Sequence, residues 1–127
     1  MIAGLGLIGG SFALALRDRA LAEEILGVEK SPEIAEEAMR LGLADRIVGF
    51  EEGIAEADLV VLAPPWTPIP IMAVKALNRA TDRAGGHGHG GRSKGELCEV
   101  VVECDARRGR FVAAHPVCGG TEYSGPK

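Results

Sequence analysis

The sequence has little cysteine, no long apolar run and no excess of positive charge. Its three cysteines, Cys98, Cys104 and Cys118, are odd in number and irregularly spaced, which argues against a disulfide framework and favours reduced thiols in a cytoplasmic protein. No apolar stretch approaches the roughly 20 residues of a membrane span, and no secretory signal pattern is visible. The net charge of −4 argues against non-specific nucleic-acid binding. With 46% apolar and 25% charged residues, the 127 residues predict one globular domain spanning 1–127.

A glycine motif lies at the start of the chain. Gly4, Gly6 and Gly9 form the pattern G-x-G-x-x-G, which is typical of the phosphate-binding turn between a strand and a helix in dinucleotide-binding folds. Gly4 allows the tight turn, Gly6 lets the backbone approach a pyrophosphate, and Gly9 lets the helix pack closely. The pyrophosphate is expected on the helix N-terminus, beside Leu7 and Ile8.

An acidic residue follows at the distance that this motif requires. Glu29 lies 20 residues after Gly9 and ends the apolar run 25–28, where a carboxylate accepts hydrogen bonds from the hydroxyls of an adenine ribose. A carboxylate there would repel a 2′-phosphate, so the sequence favours NAD over NADP. We also assign the neighbouring Lys30 to the cofactor site. Its positive charge would attract a 2′-phosphate and so weakens the preference for NAD.

Strand and helix patterns alternate along the rest of the chain. Strands are predicted at 25–28, 47–48, 59–63 and 111–114, and helices follow the glycine motif and begin near residues 32, 51, 67 and 93. This alternation predicts an α/β fold, a doubly wound parallel sheet of the Rossmann type. Ligands bind beyond the carboxyl ends of such strands, so one common edge is expected to be lined by Gly4, Glu29, Ala63, Pro64 and His115.

Three segments carry a resemblance to one enzyme family. They are GLGLIGGS at 4–11, SKG at 93–95 and HPVCGGTEYSGP at 115–126. The last is similar to the signature H-P-x-x-G-T-E-x-S-G-P and is by far the most specific. Over nearly its whole length, the chain therefore resembles the prephenate dehydrogenases, oxidoreductases of tyrosine biosynthesis.

The resemblance implies NAD-dependent oxidative decarboxylation of prephenate to 4-hydroxyphenylpyruvate. His115 would accept a hydrogen bond from the substrate hydroxyl and help to remove its proton, a role that suits imidazole near neutral pH. Glu122 would position the substrate, and Ser93 would contact it. The implied partner is this small molecule, with no nucleic acid or membrane, and a homodimer is expected only of a full-length family member.

The chain departs from the family pattern in four places. The strand before the glycine motif is reduced to residues 1–3, and the tract 84–92 has no apolar side chain beyond Ala84, so a glycine-rich loop is predicted in place of one inner strand. Ser93 stands one place late, which leaves open whether it contacts substrate or only caps a helix. Gly120 likewise shifts Glu122 by one place from His115, and the chain ends at Lys127 without the family's helical domain.

These departures keep other functions open. The chain alone is expected to be inactive, and one alternative is a non-catalytic, truncated remnant that binds dinucleotide weakly. Another is an arogenate dehydrogenase or a different Rossmann-type reductase. Zinc binding is not expected, because His87 and His89 lie in a glycine tract and match no strong ligand spacing with the cysteines.

Overall fold

The computed structural model describes residues 1–64, 69–79, 85–89 and 111–114. Strands and helices alternate within these ranges: β1 Ile2–Ala3, α1 Leu7–Asp18, β2 Leu26–Val28, α2 Pro32–Arg40, β3 Arg46–Ile47, α3 Phe50–Glu56, β4 Leu59–Leu62, α4 Ile69–Arg79, β5 Gly85–His89 and β6 Phe111–Ala114. None of the helices in the described ranges is long and apolar enough to cross a membrane. The alternation predicted from the sequence is confirmed from β1 to α4, whereas the helix predicted to begin near residue 93 lies outside the described residues.

The strands form one parallel sheet in the order β3-β2-β1-β4-β5-β6. Ile2 is in register with Gly27 of β2 on one side and with Val61 of β4 on the other. From β1 the chain adds β2 and then β3 on one side of the sheet. It then crosses back to place β4 on the other side of β1, and adds β5 and β6 beyond it. This is the doubly wound topology that the sequence predicts.

Two hydrophobic layers cover the two faces of the sheet. Alternate residues of a strand point to opposite faces, so Ile2 and Val61 pack with α1 and α2, whereas Ala3 and Leu62 pack with α3 and α4. The second layer includes Ile54 of α3, which is 1% exposed. Burial on both faces explains why β4 is an unbroken apolar run in the sequence.

The first strand is short, as predicted, with two residues where the sequence indicates a stub at 1–3, and yet it lies in the middle of the sheet. Ile2 and Ala3 are 1% and 0% exposed, and both pair with β2 and with β4. Pairing on two sides and burial on two faces stabilise this short segment, so its length does not move it to an edge.

The glycine-rich loop predicted for 84–92 is wrong for residues 85–89. These residues form β5, which pairs in parallel with β4 from Gly85 to Gly88 and with β6 from Gly86 to His89. The prediction relied on the lack of apolar side chains, but a parallel ladder uses only backbone N–H and C=O groups, which glycine has. The two apolar neighbouring strands supply the register that the glycine tract does not specify.

The first helix buries small residues on its inner face. Gly9, Gly10 and Ala13 are buried in α1, whereas Phe12 remains 37% exposed. A face without bulky side chains lets the helix axis approach the sheet closely. This approach determines the geometry of the turn before α1.

The second helix begins as the sequence predicts. Ser31 is its N-cap, and its side chain accepts a hydrogen bond from the N–H of Ile34 at 3.4 Å. Pro32 occupies the first helical position, and Gly42 follows the helix with φ +68°. Because Ser31 caps the helix, α2 begins three residues after Glu29, which itself directly follows β2.

Two isoleucines of α4 give a matched test of this packing. Ile69 is 2% exposed and Ile71 is 66% exposed. Ile69→Ala is expected to lower the free energy of unfolding by about 2–5 kcal/mol, because it removes buried apolar volume. Ile71→Ala is expected to change it by less than about 0.5 kcal/mol. Urea denaturation followed by circular dichroism measures both, and equal losses would contradict the burial described for α4.

Candidate functional site

The carboxyl ends of the central strands meet at one edge of the sheet. The N–H of Gly4, just after β1, donates to the carbonyl oxygen of Val28 at 2.8 Å, and the N–H of Ala63, just after β4, donates to the carbonyl oxygen of Ala3 at 2.7 Å. The structure thus brings together the predicted site residues that follow β1, β2 and β4. Pro64 lies in the same place, beside Gly4.

Gly4 turns the chain out of the sheet. Its φ is +88°, a backbone conformation that side chains with a Cβ rarely adopt. A Cβ at this position would also lie 2.5 Å from the carbonyl oxygen of Ala63 and 2.7 Å from the nitrogen of Pro64. Both the turn and the close approach of the segment after β4 therefore require glycine here.

Gly9 packs against the same turn from the helix side. A Cβ on Gly9 would lie 1.8 Å from the carbonyl oxygen of Gly4, a distance that backbone atoms cannot accommodate without moving. The third glycine of the motif thus sets the distance between α1 and the turn. This is the role that the sequence predicts for it.

Gly6 faces open space. It is the N-cap residue of α1, has no side chain to cap the helix, and a Cβ on it would meet no atom within 4 Å. The first N–H groups of an α-helix lack partners inside the helix, and they carry the positive end of its dipole. The first turn of α1 contains no acidic residue. An anion can therefore approach this N-terminus without meeting a side chain at Gly6 or a carboxylate in the first turn.

Leu7 and Ile8 occupy the first turn of α1, at the edge where the sequence places the cofactor. Leu7 is 89% exposed and Ile8 is 39% exposed. Neither side chain contributes to the core clusters on either face of the sheet. Exposed apolar side chains at an open helix N-terminus are available to contact a ligand.

Glu29 binds three backbone N–H groups. Its Oε2 accepts from Leu5 at 3.0 Å, and its Oε1 accepts from Lys30 at 2.8 Å and from Ser31 at 3.1 Å. The sequence predicts the carboxylate at this edge but not its bond to Leu5, because only the fold brings the two residues together. The exposed residue Lys30 thus takes part through its backbone.

The bonds of Glu29 favour its charged form. Partial burial opposes ionisation, but the N–H groups of Leu5, Ser31 and Lys30 outweigh it and hold the pKa of Glu29 below its usual value. The folded carboxyl therefore binds a proton less readily than the unfolded one. Its contribution to stability is present above the usual glutamate pKa and is lost as the pH falls through the folded-state pKa.

The predicted catalytic residues Ser93, His115 and Glu122 lie outside the described residues. β6, the strand that precedes His115 in the sequence, runs parallel to the other strands and ends at the same edge. Within the described ranges, no group of three or more histidine, cysteine, aspartate or glutamate side chains could hold a metal ion.

A model of one protein family matches most of the chain. The family model described as "Prephenate dehydrogenase, nucleotide-binding domain" matches residues 12–127. The match includes the segment with His115 and Glu122 and begins after the glycine motif. The motif itself is therefore supported separately, by the geometry of the turn.

Individual relatives agree with the family match. The chain is 32% identical over 120 residues to prephenate dehydrogenase from Bacillus subtilis (strain 168), and 30% identical over 127 residues to that from Lactococcus lactis subsp. cremoris (strain MG1363). Each comparison covers 94% of this chain but only 32% and 34% of the relatives. The chain thus spans about a third of their length.

A solved structure shows the same fold. The prephenate dehydrogenase of Aquifex aeolicus in complex with hydroxyphenyl propionate and NAD+ superimposes with a TM-score of 0.72 and 28% sequence identity. The superposition covers 94% of this chain and 41% of that one.

The second and third glycines of the motif, Gly6 and Gly9, are expected to differ in their effect on stability. Gly9→Ala should lower the free energy of unfolding by several kcal/mol, because its Cβ meets the backbone of Gly4. Gly6→Ala should change it by less than about 1 kcal/mol, since its Cβ meets open space and its φ is −68°. Thermal and urea unfolding measure both variants. A Gly9→Ala protein as stable as Gly6→Ala would contradict the packing described here.

Proposed function

The chain belongs to the prephenate dehydrogenase family, whose nucleotide-binding domain it matches, and on that premise we propose that it binds NAD at the edge built by Gly4, Gly6 and Gly9. The observation that carries this proposal is the open N-terminus of α1 behind a bare Gly6, with the carboxylate of Glu29 at the end of the next strand. The first feature suits a pyrophosphate, and the second suits a ribose.

The pyrophosphate would bind at the first turn of α1. Its two negative charges are favoured by the helix dipole and by N–H groups that have no partner within the helix. Gly6 leaves room for the phosphate oxygens to reach the backbone. Ala63 and Pro64, which lie against Gly4, would form the wall of the site on the side of β4.

The adenine ribose would bind to Glu29. A carboxylate has about four acceptor positions, and the three backbone bonds leave room for a further donor. A ribose hydroxyl can supply that donor. A 2′-phosphate in the same place would bring negative charge against a carboxylate that is held ionised, so NAD is favoured over NADP.

The reaction we propose is the oxidative decarboxylation of prephenate in tyrosine biosynthesis. NAD bound at this edge supplies the acceptor for the hydride that leaves the ring carbon carrying the hydroxyl. His115 accepts the hydroxyl proton as the ketone develops, and carbon dioxide then leaves the ring as it becomes aromatic. The proton returns to the phenolate oxygen, so the net loss is one hydride and one carbon dioxide. Ser93 and Glu122 would position the substrate.

The family match supports this reaction, since it includes the segment with His115 and Glu122. The proposed substrate is a small molecule. His115 directly follows β6 in the sequence, and β6 runs parallel to β5. Imidazole exchanges a proton readily near neutral pH, which suits a group that takes up a proton and returns it in one turnover.

Gly6→Ala is expected to separate NAD binding from folding. Its Cβ would occupy the approach to the helix N-terminus, so the NAD dissociation constant should rise at least about tenfold, or ~1.4 kcal/mol. Gly49→Ala is the matched control, because Gly49 is also an N-cap residue with φ −68° and open space at its Cβ, but it precedes α3. Calorimetric titration with NAD and with NADP measures both variants.

Wild-type protein should bind NAD saturably and NADP more weakly, and Gly49→Ala should match it. Equal affinities of Gly6→Ala and wild type would overturn the assignment of the pyrophosphate site. No NAD binding by folded wild-type protein would overturn the proposed function.

His115→Asn is expected to separate chemistry from cofactor binding. Because the chain alone is expected to be inactive, the substitution is made in a full-length version of the enzyme. Loss of the proton acceptor there should lower kcat with prephenate and NAD by about 10²–10⁴-fold, while the dissociation constant for NAD stays unchanged. Formation of reduced NAD, followed by absorbance, measures the rate. An unchanged kcat would remove His115 from the proposed mechanism.

A further inference from the structure

One peptide group of the turn is held from both sides. The N–H of the Gly4–Leu5 peptide donates to Oε2 of Glu29 at 3.0 Å, while its carbonyl oxygen faces Gly9 so closely that a Cβ there would be 1.8 Å away. The N–H and C=O of a trans peptide point in opposite directions. Glu29 therefore contacts the N–H edge of this peptide group, and Gly9 contacts its C=O edge.

The orientation of this peptide determines the direction of the N–H groups after it. The N–H groups of Gly4 and Leu5 both donate towards the end of β2, to Val28 and to Glu29. Successive N–H groups of an extended strand point to opposite sides, so this arrangement exists only because the chain turns at Gly4, where φ is +88°. The next N–H groups along the chain belong to Gly6 and the first turn of α1.

Glu29 accepts from the N–H of a residue that is itself buried. Leu5 is 3% exposed, and its side chain lies over Gly27 of β2, where a Cβ would be 2.7 Å from its Cδ1. Buried backbone N–H groups are almost always paired, and here the partner is Glu29. Without this acceptor, the peptide loses the bond that fixes the direction of its N–H, and we expect its orientation to be less restricted.

We propose that Glu29 is a positioning residue for the anion-binding turn, independently of any contact with ribose. Its carboxylate holds the Gly4–Leu5 peptide in the orientation that directs the N–H groups at the start of α1 towards a pyrophosphate. This role rests on the proposed function of the site. It differs from a ribose contact because it extends to ligands that have no ribose.

Glu29 has two opposite effects on the binding of an anion. Its negative charge repels the anion, whereas its bond to Leu5 positions the N–H groups that bind it. Removal of a nearby negative charge should by itself strengthen the binding of pyrophosphate. Loss of a positioning bond should weaken it. A glutamine at this position keeps the size of the side chain, but its NH₂ group cannot accept, so it cannot serve both Leu5 and the pair of Lys30 and Ser31.

The experiment compares Glu29→Gln with wild type and with Glu33→Gln. Glu33 is a neighbouring exposed carboxylate that accepts from the Ser31 hydroxyl at 2.6 Å, so its substitution removes one charge and leaves the Leu5 bond in place. Inorganic pyrophosphate and NAD are titrated separately. Amide hydrogen exchange of the ligand-free proteins is measured at Leu5 and at Gly4, whose bond to Val28 serves as the internal reference.

Glu29→Gln is expected to speed exchange at Leu5 about tenfold relative to Gly4, and to weaken pyrophosphate and NAD by similar factors of about ten. Glu33→Gln is expected to leave the exchange at Leu5 unchanged and to bind pyrophosphate as tightly as wild type or more tightly. Weaker NAD binding with unchanged pyrophosphate binding would overturn the proposal in favour of a ribose contact alone. Unchanged exchange at Leu5 would also overturn it. Failure of the proposed function itself would appear differently, as no binding of either ligand to wild-type protein.

Discussion

The contact between Gly9 and the carbonyl oxygen of Gly4 is the constraint on which the rest of the site depends. A helix can approach a strand-to-helix turn this closely only if the residue at the contact has no side chain. The close approach lets the start of α1 lie directly beyond the end of β1. The helix N-terminus then opens at the edge where the parallel strands end, beside Glu29 and its bond to Leu5.

The sheet shows how backbone pairing can compensate for weak strands. β1 has two residues, and β5 contains three glycines in five residues, yet both lie inside the parallel sheet. Each has a neighbour on both sides, so its N–H and C=O groups can be satisfied whatever its side chains are. The apolar segments that flank them, above all β4 with Val60, Val61 and Leu62 buried, supply the hydrophobic packing.

The site combines two opposite charge preferences within a short distance. The start of α1 favours an anion, whereas Glu29 is held as an anion by three N–H groups. A dinucleotide matches this pair because its pyrophosphate is charged and its adenine ribose is a neutral hydroxyl donor. This arrangement and the family match lead to the same cofactor.

The sequence by itself determined the alternation of strands and helices from β1 to α4, the parallel doubly wound topology and the positions of Gly4, Gly6, Gly9 and Glu29, because these depend on local patterns and fixed spacings. The start of α2 at Ser31 was likewise local, since a cap and a proline act within one turn. Only the tertiary structure decided that residues 85–89 form a strand, since their pairing depends on neighbours far away in sequence. The bond between Glu29 and Leu5 was decided in the same way, because it joins residues 24 positions apart that meet only once β1 and β2 lie side by side.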